Sequence, residues 1–274
     1  MRDPQPGRGT LEVSYIGGRT AVTRAQAFSP LKLLSPRRRG PAAWIYTSSM
    51  GGGLVAGDRI DMEVRVGPRA RCVITTQSST KVYKNPSNAR CGQRLRATVC
   101  EDALLVLAPD AVTCFAGASY QQQQRIDLEP GSSLVVVDWL TSGRRARGEC
   151  WSFSGFQSRL DVYLGPEHLL ADSLRLDPND GPLQAPHRLG RFHCLATVVV
   201  IGEPLREAID RLLEQHARQP IQCNAPLIDA ASQIRHGAIL RILGTTTEQV
   251  ACYQRDKLCF LTKFLGDTPW ARKW

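Results

Sequence analysis

Apolar and polar residues alternate in four segments of the chain, and this pattern constrains the fold more than any other feature. Alternation predicts strands, because successive side chains of a strand point to opposite faces. Each segment ends at a turn signal, and a second apolar segment follows the turn. The alternating segments and their apolar partners are 60–66 with 72–76, 95–99 with 103–107, 126–128 with 134–140, and 160–164 with 169–176. We therefore predict four β-hairpins.

The turns recur at a nearly constant spacing along the chain. They fall at Gly67, Glu101, Pro130 and Gly165, which lie 34, 29 and 35 residues apart. Spacings of this length are typical of stacked structural units. The sequence thus predicts an all-β, mainly antiparallel fold, an elongated stack of β-hairpins in two layers. We expect residues 1–274 to form a single domain, with a flexible segment at residues 1–10.

Two α-helices are predicted near the C-terminus. The first spans 205–218, where the apolar residues fall on one helical face. The second spans 245–265 and begins with a capping box made by Thr245 and Glu248. Between the two helices, the apolar segment 237–243 predicts a strand that returns to the sheet.

The chain is strongly basic, with a formal net charge of +10 and a pI near 9.4. Such a charge suits nucleic acid or an acidic protein as a partner. The basic residues are dispersed, however, and the clusters at 37–39 and 144–147 contain no aromatic side chains that would stack on bases. We therefore predict protein partners and no nucleic acid.

The sequence predicts a cytoplasmic protein without membrane contact. No apolar run approaches the roughly 18 residues that cross a bilayer. The first residues lack a secretory signal. Nine cysteines without close pairs favour a reducing compartment over a disulfide framework.

Glycines crowd the turn that precedes the first alternating segment, where Gly51, Gly52 and Gly53 are followed by Gly57 and Asp58. Glycine permits positive φ angles and close approach of the backbone. The stretch lacks the Lys-Ser/Thr of a P-loop and precedes a strand rather than a helix, which argues against a phosphate site. Two interpretations of the carboxylate stay open: it caps the amides of a tight turn, or it lines an interior channel.

A neutral polar stretch at 75–80 includes Thr76 and Gln77, and it precedes Lys81 and Tyr83 on one strand face. Hydroxyl and amide groups are costly to bury without hydrogen bonds. The stretch therefore lines a wet interior passage or forms an exposed strand edge. The residues by themselves favour the exposed edge.

No catalytic motif such as GxSxG or HExxH occurs in the chain, so we predict that it is not an enzyme. His187 and His193 with Cys194 match no closed metal site. Two alternatives remain: an enzyme with a glycine-lined pocket, and a β-sheet module that binds an acidic ligand or nucleic acid. A convergent nucleophile and base would favour the first alternative, and salt-sensitive binding the second.

Four motifs occur in the order found in a known family. They are GGxxxGD at 52–58, TTQxxTKVY at 75–83, FAGA at 115–118 and GRxARGE at 143–149. In these motifs the chain resembles the urease accessory protein UreD, called UreH in some bacteria. The resemblance implies an elongated β fold without turnover of its own. Such a protein bridges urease apoprotein to the helical accessory protein UreF, which recruits the nickel-carrying GTPase UreG.

The resemblance also implies an internal tunnel through which nickel passes to the urease active site. Asp58 and Glu149 are the carboxylates that we predict for transient nickel passage, and we expect no tightly bound cofactor. A carrier that releases nickel needs few and weak ligands, since thiolate and imidazole cages hold the metal tightly. The predicted tunnel or partner-binding residues are Gly52, Gly53, Gly57, Thr76, Gln77, Lys81, Tyr83, Phe115, Gly117, Arg144 and Arg147.

Overall fold

The computed structural model describes residues 7–36, 40–87, 89, 91–217, 220, 222 and 224–270. Three predicted features lie outside these residues: the basic cluster at 37–39, the helix end at Arg218, and the flexible segment over residues 1–6. Residues 8–10 of the predicted flexible segment open the first strand and pair with neighbouring strands.

Strands dominate the described residues. In chain order they are β1 (Arg8–Ile16), β2 (Arg19–Ala27), β3 (Leu31–Leu34), β4 (Ala43–Ser49), β5 (Arg59–Val66), β6 (Arg71–Thr76), β7 (Thr80–Val82), β8 (Gly92–Val99), β9 (Leu104–Leu107), β10 (Val112–Cys114), β11 (Ser119–Leu128), β12 (Ser133–Thr141), β13 (Gly155–Leu164), β14 (Glu167–Leu176), β15 (Cys194–Ile201), β16 (Leu227–Ile234) and β17 (Gly237–Gly244).

These strands form two sheets, which we call the outer sheet and the central sheet. The outer sheet has the order β14-β13-β11-β8-β5-β1-β2. The central sheet has the order β16-β17-β15-β12-β9-β6-β4-β3, and the short strands β7 and β10 pair with each other beside β12. Between β4 and β13 the polypeptide alternates between the sheets, so the middle of each sheet is assembled from strands that are distant in sequence.

The chain crosses from the outer to the central sheet at three of the four recurring turns. It passes from β5 to β6, from β8 to β9 and from β11 to β12 in this way. In the outer sheet β5, β8 and β11 pair in parallel, and in the central sheet β6, β9 and β12 do the same. Antiparallel pairs lie toward the ends of both sheets. The result is a β-solenoid-like stack with mixed sheets.

The prediction of mainly antiparallel hairpins is therefore wrong for three of the four strand pairs. A tight turn between two layers carries the same signals as a hairpin turn: Ala70 N donates to Gly67 O (3.0 Å), and Ala103 N donates to Cys100 O (3.1 Å). Successive turns also stack, since Arg69 N donates to Glu101 O (2.9 Å). The fourth predicted pair, β13 with β14, is an antiparallel hairpin.

Burial differs between the two sheets. Strand β5 of the outer sheet buries alternate residues, with Ile60, Met62, Val64 and Val66 at most 5% exposed. Strands in the middle of the central sheet are buried on both faces, and β9 is buried throughout. They pack against the outer sheet on one side and against helices on the other. Burial on both faces explains their continuous apolar runs.

Three α-helices cover the far side of the central sheet: α1 (Arg206–Ala217), α2 (Thr247–Lys257) and α3 (Thr262–Leu265). The helix predicted over 245–265 is thus divided, because the backbone leaves helical geometry at Leu258 and continues as a 3-10 turn. Its N-cap is Thr246, whose hydroxyl accepts a hydrogen bond from Gln249 N (3.2 Å), rather than Thr245.

A third apolar cluster closes one end of the stack. Phe153 and Leu54 are fully buried there, together with Tyr120, Trp151 and Phe156. Leu54 belongs to the glycine-rich turn, and Trp151 follows the GRxARGE motif. The packing of this end therefore brings the four sequence motifs to the same region of the molecule.

Candidate functional site

A layer of polar side chains crosses the apolar interior between the two sheets. Asp138 of β12 meets Gln122 of β11 and Ser158 of β13. Gln122 Nε2 donates to Asp138 Oδ1 (3.1 Å), and Ser158 Oγ donates to Asp138 Oδ2 (2.5 Å). The Tyr120 hydroxyl extends the layer, since it lies 3.2 Å from Gln122 Oε1 and 3.1 Å from Gln93 Oε1.

Burial raises the pKa of Asp138 above its ordinary value. The hydrogen bonds from Ser158 and Gln122 act in the opposite direction, and the charge of Asp172 adds to the upward shift. Removing a carboxylate from water disfavours its charged form unless a cation or strong donors compensate. The surroundings of Asp138 therefore favour its protonated form more than water does.

A cavity of about 100 Å³ lies beside this polar layer, between the sheets. Its polar lining includes Thr76, Gln93, Asp110, Gln122 and Asp138. The hydroxyl of Thr76 accepts a hydrogen bond from Asp110 N (2.7 Å). The predicted wall residue Thr76 thus lies on the interior cavity, and carboxylate, amide and hydroxyl groups dominate the polar part of that cavity.

Two further cavities share lining residues with the interior one. A cavity of about 590 Å³ opens beside Ser142 and His193 and shares Asp110 and Trp139 with it. A smaller one, about 60 Å³, is lined by Gly52 and shares Thr76 and Gln93, among others. Gly52 thus lines a cavity that has Thr76 in common with the interior one.

The glycine-rich turn is held by backbone geometry and by Asp58. Asp58 Oδ2 accepts a hydrogen bond from Val55 N (2.8 Å), which is the capping contact. Gly57 has a φ of +88°, a conformation that favours glycine. A Cβ at Gly53 would lie 2.6 Å from the ring of Tyr83 and 2.7 Å from Lys81 O. Close packing of this turn against β7 therefore requires glycine at position 53.

The other motif residues form one connected cluster. The rings of Tyr83 and Phe115 meet edge to face, 5.1 Å between centroids. The guanidinium of Arg144 lies 4.0 Å from the Phe115 centroid, and its Nε donates to Glu149 Oε2 (3.0 Å). Gly117 joins the same region, since its N donates to Ser152 O (2.9 Å). These contacts order the loop that follows β12.

Glu149 is the more tightly held of the two carboxylates predicted for nickel passage. Arg144 contacts both of its oxygens, and these hydrogen bonds lower the pKa of Glu149. Three predicted residues, Gln77, Lys81 and Arg147, have exposed side chains on the surface. The structure thus brings most motif residues together without placing all of them on the interior cavity.

The interior residues Gln93, Gln122, Asp138 and Ser158 were missed by sequence reasoning. Their signal is a polar residue at a position where alternation requires an apolar one. Asp138 interrupts the run Val135-Val136-Val137 and Trp139-Leu140, and buried acids in such runs are rare unless they have a partner or a role.

The basic residues of the outer sheet are largely paired on its exposed face. Arg59 contacts Asp61 (2.8 Å), and Arg125 contacts Asp127 (2.9 Å). Arg159 contacts Asp161 in the same manner (2.6 Å). This alternation of charge leaves a mixed surface rather than a basic stripe, which disfavours the alternative of a module for an acidic ligand.

Metal-ligating residues are sparse: among the described residues, no group of three or more His, Cys, Asp or Glu side chains is arranged to hold a metal ion. His193 and Cys194 do not form a pair, because Cys194 is fully buried and burial raises the pKa of its thiol to about 12. Nor does any helix within the described part of the chain have the length and apolarity to cross a membrane.

Comparison with known proteins gives a consistent result along the whole chain. A family model described as "UreD urease accessory protein" matches residues 5–274. The chain is 46% identical over 274 residues to "Urease accessory protein UreD" of Sorangium cellulosum (strain So ce56), which covers 100% of this chain and 86% of that protein. It is 36% identical over 295 residues to "Urease accessory protein D" of Oryza sativa subsp. japonica, covering 97% and 95% respectively.

A more distant relative is "Urease accessory protein 4" of Cryptococcus neoformans var. grubii, 31% identical over 309 residues, covering 97% of this chain and 94% of that protein. These matches define the chain as an accessory protein, a class whose members help another protein rather than catalyse a reaction. It belongs to the UreD urease accessory protein family. Membership implies a role in urease maturation.

Proposed function

We propose that this chain is a urease maturation chaperone that bridges urease apoprotein to a UreF-like helical protein and, through it, to a UreG-like GTPase. In this proposal nickel passes through the interior of the chain to the urease active site. The observation that carries the conduit is the polar layer around Asp138, which adjoins a cavity inside an otherwise apolar sandwich.

The chemistry of this layer suits an ion in transit. Carboxylate and amide oxygens bind nickel more weakly than thiolate and imidazole cages do, so the ion is released rather than trapped. A cavity of about 100 Å³ has room for ordered water, which supplies further exchangeable ligands. As nickel arrives, Asp138 releases its proton to water in the cavity, and its carboxylate then offsets one of the two positive charges of the ion.

The surface of the chain supports a bridging role. Strands β2 and β14 end the outer sheet, and β3 and β16 end the central sheet, as edges that can pair with another chain. Large apolar side chains are exposed as well, among them Ile16 (56%) and Val55 (51%). We expect the isolated chain to aggregate readily and the UreF-like partner to improve its solubility on co-expression.

Roles for the motif residues follow from their positions. Asp58 holds the turn whose Gly52 lines the small cavity, which is where an entrance carboxylate would act. Glu149 and Arg144 order the loop beside Phe115, and the exposed Arg147 is available to a partner. Nickel passage over Glu149 remains a prediction, and so does passage over Asp58, which substitutions of Asp58 test.

Removal of the chain from cells tests the proposed function. Urease should then accumulate in normal amounts, folded but largely free of nickel, and a plasmid copy should restore the metal. Nickel per urease is measured by elemental analysis of the purified enzyme. Urease with normal nickel and activity in the deletion strain would exclude the role.

A further inference from the structure

A thiol and a hydroxyl lie close to one imidazole nitrogen beside the GRxARGE loop. Cys150 Sγ lies 3.3 Å from His193 Nδ1, and Ser142 Oγ lies 3.3 Å from the same nitrogen. All three residues belong to segments that meet where β12 ends and β15 begins. A thiol and an imidazole nitrogen are ligands that first-row transition metals accept, and a hydroxyl within reach can add a weaker one.

The backbone holds these three residues in place. Ser142 N donates to His193 O (2.8 Å), and Trp151 N donates to Ser142 O (2.6 Å). His193 N donates in turn to Gly244 O (2.9 Å), which ties the imidazole to β17. The carbonyl of Cys150 accepts a hydrogen bond from Gln184 Nε2 (2.7 Å). The donors are therefore fixed by the fold before any ligand binds, which lowers the cost of binding.

The spacing of the donors fits a single metal ion. With metal–sulfur and metal–nitrogen bonds of about 2.3 and 2.1 Å, the two ligand atoms lie about 3.1 Å apart at a right angle and about 3.6 Å apart at the tetrahedral angle. The observed separation of 3.3 Å between Cys150 Sγ and His193 Nδ1 falls between these limits. Small side-chain adjustments would bring both atoms into coordination.

Accessibility distinguishes Cys150 from most other thiols. Cys72, Cys91, Cys114 and Cys194 are buried, and burial raises the pKa of each. Cys150 and His193 are half-buried, and His193 lines the cavity of about 590 Å³ that adjoins the interior passage. An ion from solvent can therefore reach this pair without opening the core.

We propose that Cys150, His193 and Ser142 form an exchangeable site for one borderline-soft divalent cation of the Ni²⁺, Co²⁺ and Zn²⁺ class. The Cys150 thiolate and His193 Nδ1 are the strong ligands, the thiol proton is released to solvent, and the Ser142 hydroxyl and water complete the coordination. The proposal concerns binding by the chain itself, so it stands or falls independently of urease maturation.

Titration of the purified full-length chain with Ni²⁺ tests this site by thiolate-to-nickel charge-transfer absorption. We expect a band that saturates near one equivalent, is displaced by Zn²⁺ and is unaffected by Mg²⁺. Cys150→Ser should abolish the band, and His193→Gln should weaken nickel binding by more than about tenfold. Cys252→Ser and Cys259→Ser, at exposed cysteines, should leave it unchanged.

Thermal melting of each variant verifies folding, and His193→Gln decides the test if Cys150→Ser does not fold. The site is refuted if the wild-type chain shows no thiolate band, if the band persists in Cys150→Ser, or if His193→Gln binds nickel as tightly as the wild type. Equal loss of the band in Cys252→Ser or Cys259→Ser would also refute it.

Discussion

Asp58 offers a test that separates a structural carboxylate from a conducting one. Its Oδ2 accepts a hydrogen bond from Val55 N at 2.8 Å and thereby fixes the glycine-rich turn. Loss of a capping acceptor of this kind costs about 1 kcal/mol. In a chain of this size, a change of that amount lowers the melting temperature by roughly 2–4 °C. Asp58→Ala should show this decrease.

Asp58→Asn should melt like the wild type, because the amide oxygen still accepts the hydrogen bond from Val55 N. Differential scanning calorimetry at neutral pH measures both variants. An equal loss of stability in Asp58→Asn and Asp58→Ala would refute the capping interpretation, since it would show that the charge itself holds the turn.

Nickel loading of urease adds the second readout for the same two variants. If Asp58 guides the ion, Asp58→Asn should keep its stability and its partners yet deliver less nickel. Full loading of urease with Asp58→Asn would restrict Asp58 to the turn. The two roles therefore predict different pairs of results, and neither measurement alone decides between them.

Three further changes have defined outcomes. Gly53→Ala should destabilise the chain by about 1–3 kcal/mol, more than Gly155→Ala, as melting temperatures will show. A Cβ at position 53 would meet Lys81 O at 2.7 Å, whereas a Cβ at position 155 would meet nothing within 4 Å. Arg144→Ala should lower the melting temperature, whereas Arg147→Ala should leave it unchanged and weaken co-purification with partners. Burial raises the pKa of Asp138 in the folded state, so its stabilising contribution is complete below the unfolded pKa of about 3.8 and is lost as pH rises through the folded value. The free energy of unfolding of Asp138→Asn should therefore rise relative to that of the wild type between pH 4 and pH 7, as measured by denaturant titration.

Much of the fold could be predicted from local patterns. Alternation in 60–66 identified β5 and its buried face, and the recurring turns identified the stacked units. The pairing of strands could not be predicted in the same way, because a turn between layers and a hairpin turn share one hydrogen-bond pattern. The continuous apolar run at 134–137 was the available signal, since a strand buried on both faces is typical of parallel sheets.

The candidate site was predicted less completely, for a related reason. The FAGA and GRxARGE motifs identified Phe115, Arg144 and Glu149, and these residues form a cluster in the structure. They did not identify Asp138 or Gln122, because the meaning of a polar residue on a buried face depends on the strand that packs opposite to it. That partner becomes visible only when the two sheets are assembled.

The conduit is tested most directly by the nickel content of urease matured with Asp138→Asn. The matched control is Asp127→Asn, which alters a carboxylate paired with Arg125 on the exposed face of the outer sheet. Both variants should assemble with the partner proteins, and elemental analysis should find urease depleted of nickel with Asp138→Asn and normally loaded with Asp127→Asn. Full nickel loading with Asp138→Asn would contradict the passage of nickel through the interior.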